Sequence, residues 1–406
     1  FSPGWISADL KVGETVTIKG ELRRKGGARQ KGPDGPEASS LSCLPDPSSQ
    51  SARTLAPLAE ALRAALDLYI VKRDDLKTVI AGYPWFLDWG RDTFIFLRGL
   101  IAAGETDIAL KILAAFAAFE ENGTLPNIIY GKTAGNRDTT DAQLWFIRCV
   151  EEVQAKVAAA PGTGEGLTRR HEGTEEKTDE TLAALKKTCA SIVDNYLKGT
   201  PNGIRVDPDS GLVWSPSHFT WMDTNYPACT PRVGYPVEIQ ALWISALRYL
   251  GRDELAERAL ASVKALFRWE HGYRDCLAAP HGEPACAAVP EDTVRPNQLF
   301  LITLGVLDDK SILAATEELL VPGGIRSLNA ENPLYRGVYA GDEDTARKPA
   351  YHNGTVWAWP FPLYAEALVA TGACSRDVAR SLLAGAVENL NAGCIGHLSE
   401  NADGDA

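Results

Sequence analysis

Two acidic residues far apart in the chain have surroundings suited to opposite protonation states. Asp223 stands in FTWMDTN, where Phe219, Trp221 and Met222 would strip water from it and raise its pKa. Glu400 stands in HLSENADGD, where Ser399, Asn401 and Asp403 make polar surroundings that would keep it ionised. One protonated and one ionised carboxyl group is the pair that hydrolyses a glycosidic bond: the first donates to the leaving oxygen, the second attacks or activates water. Taken singly, Asp223 also reads as an Asx-turn or a helix cap, and Glu400 as one acid in a polar tail.

The residues around such a pair would have to hold a sugar. Most of the ten tryptophans fall in or beside a few phrases: GYPWFLDWGRDT, TTDAQLWF, GLVWSPSHFTWMDTN, GYPVEIQALW and YHNGTVWAWP. Each phrase also carries a carboxylate, an Arg or a His. Aromatic faces stack on the apolar C–H face of a sugar ring while polar groups take its hydroxyls, the usual make-up of a small-ligand cleft. Trp89, Trp221 and Trp357 are candidates for this lining, whereas Trp145 and Trp243 lie in helical patterns and read as core. Arg91 and Asp92 read either as a fork that grips adjacent hydroxyls or as a structural ion pair. Glu238 opens a helix, where the dipole favours a carboxylate, and it is also placed to touch ligand. His352 is a candidate for binding a hydroxyl. The six histidines lack ligand spacing, so no metal centre is expected, and no Walker A, GxSxG or dinucleotide fingerprint occurs.

The elements that must position these groups are mostly helices. Apolar residues recur at three- and four-residue spacing in LAPLAEALRAALDLYI, TDIALKILAAFAAFEE, ALWISALRYL, DELAERALASVKALFRW, SILAATEELL and DVARSLLAGAVENLN. TTDAQLWFIRCVEEV adds a start signal in which Thr140 caps and Gln143 reaches back. IRVDPDSGLVW reads as a hairpin around DPDSG, and residues 160–179 as a solvated insertion. Residues 53–406 are thus read as a helical domain whose loops carry the aromatic and charged clusters. Residues 1–24 suggest two short strands of a β domain otherwise missing from the chain, and residues 25–52, rich in Gly, Pro and Ser, a flexible linker. The chain opens without Met and closes on a polar phrase, so it is expected to be a piece of a longer protein.

Composition narrows the partners. A net charge of −12 argues against nucleic acid and anionic membranes, which select basic patches. No run of about 18 apolar residues appears. The eight cysteines form no CxxC and several sit in helical apolar patterns, which suggests reduced core thiols in a cytoplasmic protein.

Taken in order, AGYPWFLDWGRDT, LPNIIYG with NRDTTDAQLWF, TWMDTN with TPRVGYPVEIQALW, RPNQLF, and YHNGTVWAWP with GCIGHLSENADGD resemble the glycogen debranching enzyme family. The similarity is to its amylo-α-1,6-glucosidase part, in the single-activity type of bacteria and archaea, and it covers residues 68–406. The opening FSPGWISADLKVGE resembles the end of a β-sandwich domain that precedes the catalytic domain there. The resemblance implies an all-α (α/α)6 barrel with its active site at one mouth. It also implies hydrolysis of α-1,6-linked glucose at glycogen branch points with inversion, without metal or organic cofactor. In that pattern Asp223 is the general acid and Glu400 the general base, Arg91 and Asp92 meet the terminal glucose, and Asp141 and His352 line the pocket. Two alternatives stay open: an α-1,4-glucosidase or trehalase-like hydrolase on the same barrel, and a non-catalytic glycogen-binding module.

Overall fold

Two kinds of helix share this chain, and burial tells them apart. The helix Val237–Tyr249 buries every residue from Val237 to Leu247, the mark of a helix surrounded by protein. The helix Asp253–Leu266 buries only Ala256, Ala259, Leu260 and Val263, a stripe at spacings of three and four that leaves the opposite face to solvent.

The computed structural model describes residues 55–73, 76–82, 86–159, 172–224, 229–387 and 397–405. The strands expected in residues 1–24 and the linker at 25–52 lie outside the described residues, as do Cys43 and Cys394. The helices, in order, are α1 (Leu55–Tyr69), α2 (Gly90–Ala102), α3 (Thr106–Ala117), α4 (Asp141–Ala158), α5 (Glu172–Lys198), α6 (Val237–Tyr249), α7 (Asp253–Leu266), α8 (Leu299–Thr303), α9 (Ser311–Glu317), α10 (Lys348–Tyr351), α11 (Phe361–Ala370) and α12 (Arg376–Val387). Helix α2 packs on α4, α4 on α6, α6 on α8 and α8 on α11. Arg98 of α2 reaches Glu366 of α11 at 3.5 Å, which joins the two ends of this series. Helices α3 and α5 lie against α4 or each other, α7 against α6, and α9 and α12 against α11. Trp145 and Trp243 belong to the core as expected, 2% and 0% exposed, with ring contacts to Phe300 and Tyr196.

The helical expectation is met for the bulk of the described chain, and small antiparallel sheets are added to it. Their strands are two to four residues long, too short for an alternating pattern to register in sequence. The hairpin around DPDSG forms, with Arg205–Val206 paired to Val213–Trp214. Two expectations need correction. Thr140 makes no capping bond; its hydroxyl meets Ser215 Oγ at 2.8 Å. The cap comes from Thr139, whose Oγ1 accepts from the Ala142 N–H and whose carbonyl accepts from Gln143 Nε2. Residues 172–179, assigned to a solvated insertion, open α5 instead; Glu and Lys are good helix formers, and acidic residues suit a helix start.

Candidate active site

A cavity of about 550 Å³ is lined among others by Trp89, Asn127, His218, Asp223, Tyr339 and Tyr351. Its first wall is set by the junction of a strand and α2. Asp88–Trp89 pairs with Ile128–Tyr130, and α2 begins at once with Gly90. The backbone there comes so close to the neighbouring loop that a Cβ on Gly90 would stand 2.8 Å from the Pro126 carbonyl oxygen. Thr78 holds the buried Asp88 carboxylate at 2.7 Å. Alternation along the strand then leaves Trp89 on the cavity side.

One residue on, Arg91 is buried. Its guanidinium donates to Asp141 at 2.6 Å, to Asp223 at 2.7 Å and to Thr139 Oγ1 at 3.4 Å. Its fork therefore spans two carboxylates brought from separate elements, rather than standing free for sugar hydroxyls as its motif suggested. Asp141, in the first turn of α4, also accepts from the Thr139 hydroxyl at 2.8 Å. Both Arg91 and Asp141 serve to hold Asp223 in place.

Asp223 follows the buried Trp221 and Met222, and its side chain is about one-third exposed, 34%, on the cavity. Loss of hydration pushes its carboxyl above the ordinary aspartate value, and the attraction of Arg91 only partly offsets this. Glu400 arrives from the far end of the described chain. It leads into Asn401–Ala402, which pairs with Val356–Trp357 at the edge of a four-stranded sheet. Its side chain is open to solvent, yet the protein around it raises its carboxyl, a hydrogen bond from Tyr351 opposes that rise, and Asp223 adds repulsion. Asp92 is pushed up to about 6 by lost hydration; Arg91 counteracts, and Asp223 and Glu400 repel. Asp223 thus repels both Asp92 and Glu400, and the Tyr351 side chain stands within the field of both Asp223 and Glu400.

Of the candidate site residues singled out in the sequence, only Trp89 and Asp223 are among those lining this cavity, and four of the others are buried away from it. Trp221, His352 and Trp357 form a tight cluster behind Tyr351 and are 5%, 1% and 5% exposed. Trp221 meets Trp357 edge-on at 5.4 Å, His352 stacks on Trp357 at 5.2 Å, and Tyr351 packs against both His352 and Trp357. Burial, with Arg295, Arg91 and Arg232 nearby, holds His352 far below the usual imidazole range, so it is neutral. Glu238 is 1% exposed and its two oxygens are taken by Arg232, one of them at 2.6 Å. Arg232 also donates to Asp275 at 2.7 Å. Asp275 accepts from Asn297 at 2.7 Å, and Asn297 in turn accepts from the Trp221 indole N–H at 2.7 Å. Glu238 is therefore a structural member of a buried charge network that fixes Trp221, and hence the approach to Asp223.

Tyr351, Tyr339, His218 and Asn127 were missed by motif reasoning. Tyr351 carried a signal, an aromatic residue with a polar tip inside YHNGTVWAWP; Tyr339 carried none. Among the described residues no cluster of His, Cys, Asp and Glu could hold a metal ion, no helix is long and apolar enough to cross a membrane, and Cys149, Cys189, Cys276, Cys286 and Cys374 carry free thiols.

A family model described as amylo-alpha-1,6-glucosidase matches residues 64–406. The glycogen debranching enzyme of Saccharomyces cerevisiae is 26% identical over 397 residues, which take in 73% of this chain and 26% of the yeast protein. The chain thus spans about a quarter of that relative's length. Among solved structures, the GH63 mannosylglycerate hydrolase from Thermus thermophilus in complex with glucose aligns with a TM-score of 0.58 at 15% identity, covering 85% of this chain and 96% of its own. A glycosidase in complex with glucose aligns with a TM-score of 0.56 at 13% identity, covering 86% and 88%. These structural likenesses concern the fold.

Proposed function

Given that the chain belongs to the amylo-alpha-1,6-glucosidase family, we propose that it hydrolyses α-1,6-linked glucose at the branch points of glycogen or limit dextrin, with inversion at the anomeric carbon. The observation that carries the proposal is that Asp223 and Tyr351 line one cavity and both act on Glu400, Asp223 by repulsion and Tyr351 by a hydrogen bond. The same proposal extends the helix series α2, α4, α6, α8 and α11 to an (α/α)6 barrel of six inner and six outer helices.

In the proposed reaction Asp223 is protonated and gives its proton to the glycosidic oxygen as the bond to C1 breaks. Glu400 is ionised and takes a proton from water, whose oxygen bonds to C1 from the opposite face. The departing chain leaves with a hydroxyl group, and glucose leaves as the β-anomer. Single displacement of this kind needs about 6.5–9.5 Å between the carboxyl groups, room for the water. Arg91 keeps Asp223 aimed, while burial supplies the raised pKa that an acid needs. Trp89 and Phe86 offer faces for a sugar ring, and Asn127, Asn136 and Lys348 offer partners for its hydroxyls. Arg91 and Asp141 reach the sugar only through Asp223.

The test is glucose release from phosphorylase limit dextrin against linear maltooligosaccharides, with the first-formed anomer read by NMR. Release of β-glucose from the branched substrate is expected. Release from the linear chains alone would point to an α-1,4-glucosidase, and tight glucan binding with no glucose to a binding module. The pH profile offers a second check. The Tyr351 hydroxyl favours ionised Glu400, so Tyr351→Phe raises the pKa of the base. The acid limb of kcat then moves to higher pH while the alkaline limb, set by Asp223, stays in place. An unmoved acid limb would remove Tyr351 from this role.

A further inference from the structure

We propose that Asp403 is a positioning residue for Glu400, fastening the segment that carries the base to the loop that carries Tyr339. The proposal rests on the reading of Glu400 as the base. The strand beside Glu400 is only two residues long, Asn401–Ala402, and has a single neighbour. Pairing that short does little by itself to fix the side chain that precedes it.

The residues that follow add the missing constraint. An Asp403 carboxylate oxygen accepts the Tyr339 backbone N–H at 2.8 Å. The Gly404 N–H donates to the Gly337 carbonyl at 2.6 Å, and the Gly404 carbonyl accepts from Arg326 at 2.8 Å. Asp405 accepts from the Tyr335 hydroxyl at 2.8 Å. The two segments approach so closely that a Cβ on Gly337 would collide with the Asp405 carboxylate, and Gly404 lies as close to the Gly354 carbonyl oxygen. Glycine at both positions permits that approach.

Asp403 matters most among these contacts because of where its partner leads. Tyr339 lines the cavity, and its ring lies 5.3 Å from that of Tyr351. Tyr351 also lines the cavity. The path from Glu400 through its own backbone to Asp403, then to Tyr339 and Tyr351, returns to Glu400, which takes a hydrogen bond from Tyr351. A bond at Asp403 therefore ties the segment of the base to the segment of the tyrosines beside it in one step. Because the donor is a backbone N–H, the requirement at position 403 is an acceptor oxygen and not a negative charge. Asn meets that requirement, and Ala does not.

The experiment compares Asp403→Ala, Asp403→Asn and Glu400→Ala in the full chain, with kcat and KM for glucose release from limit dextrin and melting curves to normalise to folded protein. A reacting group displaced by about 1 Å costs on the order of a hundredfold in rate. Asp403→Ala is expected to lower kcat by about 10- to 100-fold with KM within about twofold, and Asp403→Asn to keep kcat within about threefold. Unchanged kcat in Asp403→Ala, or an equal loss in Asp403→Asn, overturns the proposal. The Glu400→Ala variant separates the two levels. Glucose release that survives it removes the base assignment, whereas an inert Glu400→Ala beside a fully active Asp403→Ala removes the positioning role alone.

Discussion

Asp223→Asn is expected to abolish most turnover while leaving the protein folded and able to bind sugar. General acid catalysis contributes about 10²–10⁴-fold to such reactions, and an amide cannot supply the proton to the departing oxygen. The substitution keeps the size and planarity of the side chain. Arg91 loses one charged partner but retains Asp141 at 2.6 Å and Thr139, so the guanidinium is not stranded. The melting temperature should shift by no more than a few degrees. The measurement is kcat on limit dextrin beside glucose binding followed through tryptophan fluorescence. Turnover within tenfold of the unmodified protein would take the acid role away from Asp223. An aryl or fluoride leaving group, which needs little protonation, should recover part of the rate, and its failure to do so would point to a disturbed site instead.

The second large effect concerns stability. Arg232 is the common partner of two carboxylates that are each 1% exposed at the side chain, Glu238 and Asp275. Arg232→Met removes the cation and leaves both acids in the interior, a change that costs on the order of 3–5 kcal/mol for a broken buried pair. Arg295, 3.5 Å from Asp275, compensates one of the two. Glu238 is then the exposed flank of the defect. Burial already raises its carboxyl, and Arg232 is the chief force that opposes that rise. Without Arg232 the folded-state pKa climbs further above the unfolded value. The native state then binds the proton more tightly, so the deficit relative to the unmodified protein shrinks as pH falls through that pKa. Denaturant unfolding at neutral and at mildly acid pH checks both points. A loss below about 1 kcal/mol, or one that grows as pH falls, would contradict them. Activity should suffer as well, because Asp275 and Asn297 hold the Trp221 indole in register.

How far the sequence disclosed this arrangement differs from residue to residue. Helices whose apolar spacing spans several turns were legible, as was the burial of Trp145 and Trp243 within them. The phrase around Asp223 showed the apolar neighbours that raise its carboxyl, whereas the polar phrase around Glu400 did not show that the protein raises that carboxyl too. Partner choice was not legible. Nothing local to WGRD says that Arg91 turns to Asp141 and Asp223, since those acids arrive from α4 and from a loop more than a hundred residues away. Nor can a motif say which of two adjacent residues faces the cavity. In YHNG the histidine drew attention, yet Tyr351 lines the space and His352 is buried behind it. Glu238 shows the same limit from the other side: a carboxylate at a helix start looks available until Arg232, six residues earlier, folds back on it.

The two-residue strand that follows Glu400 lies at the margin of its sheet. Opening at such a margin costs less free energy than unfolding the helical body, because it breaks only this strand and the bonds of Asp403, Gly404 and Asp405. On gentle heating the molecule should therefore go silent before it melts, and on cooling it should recover speed without having refolded.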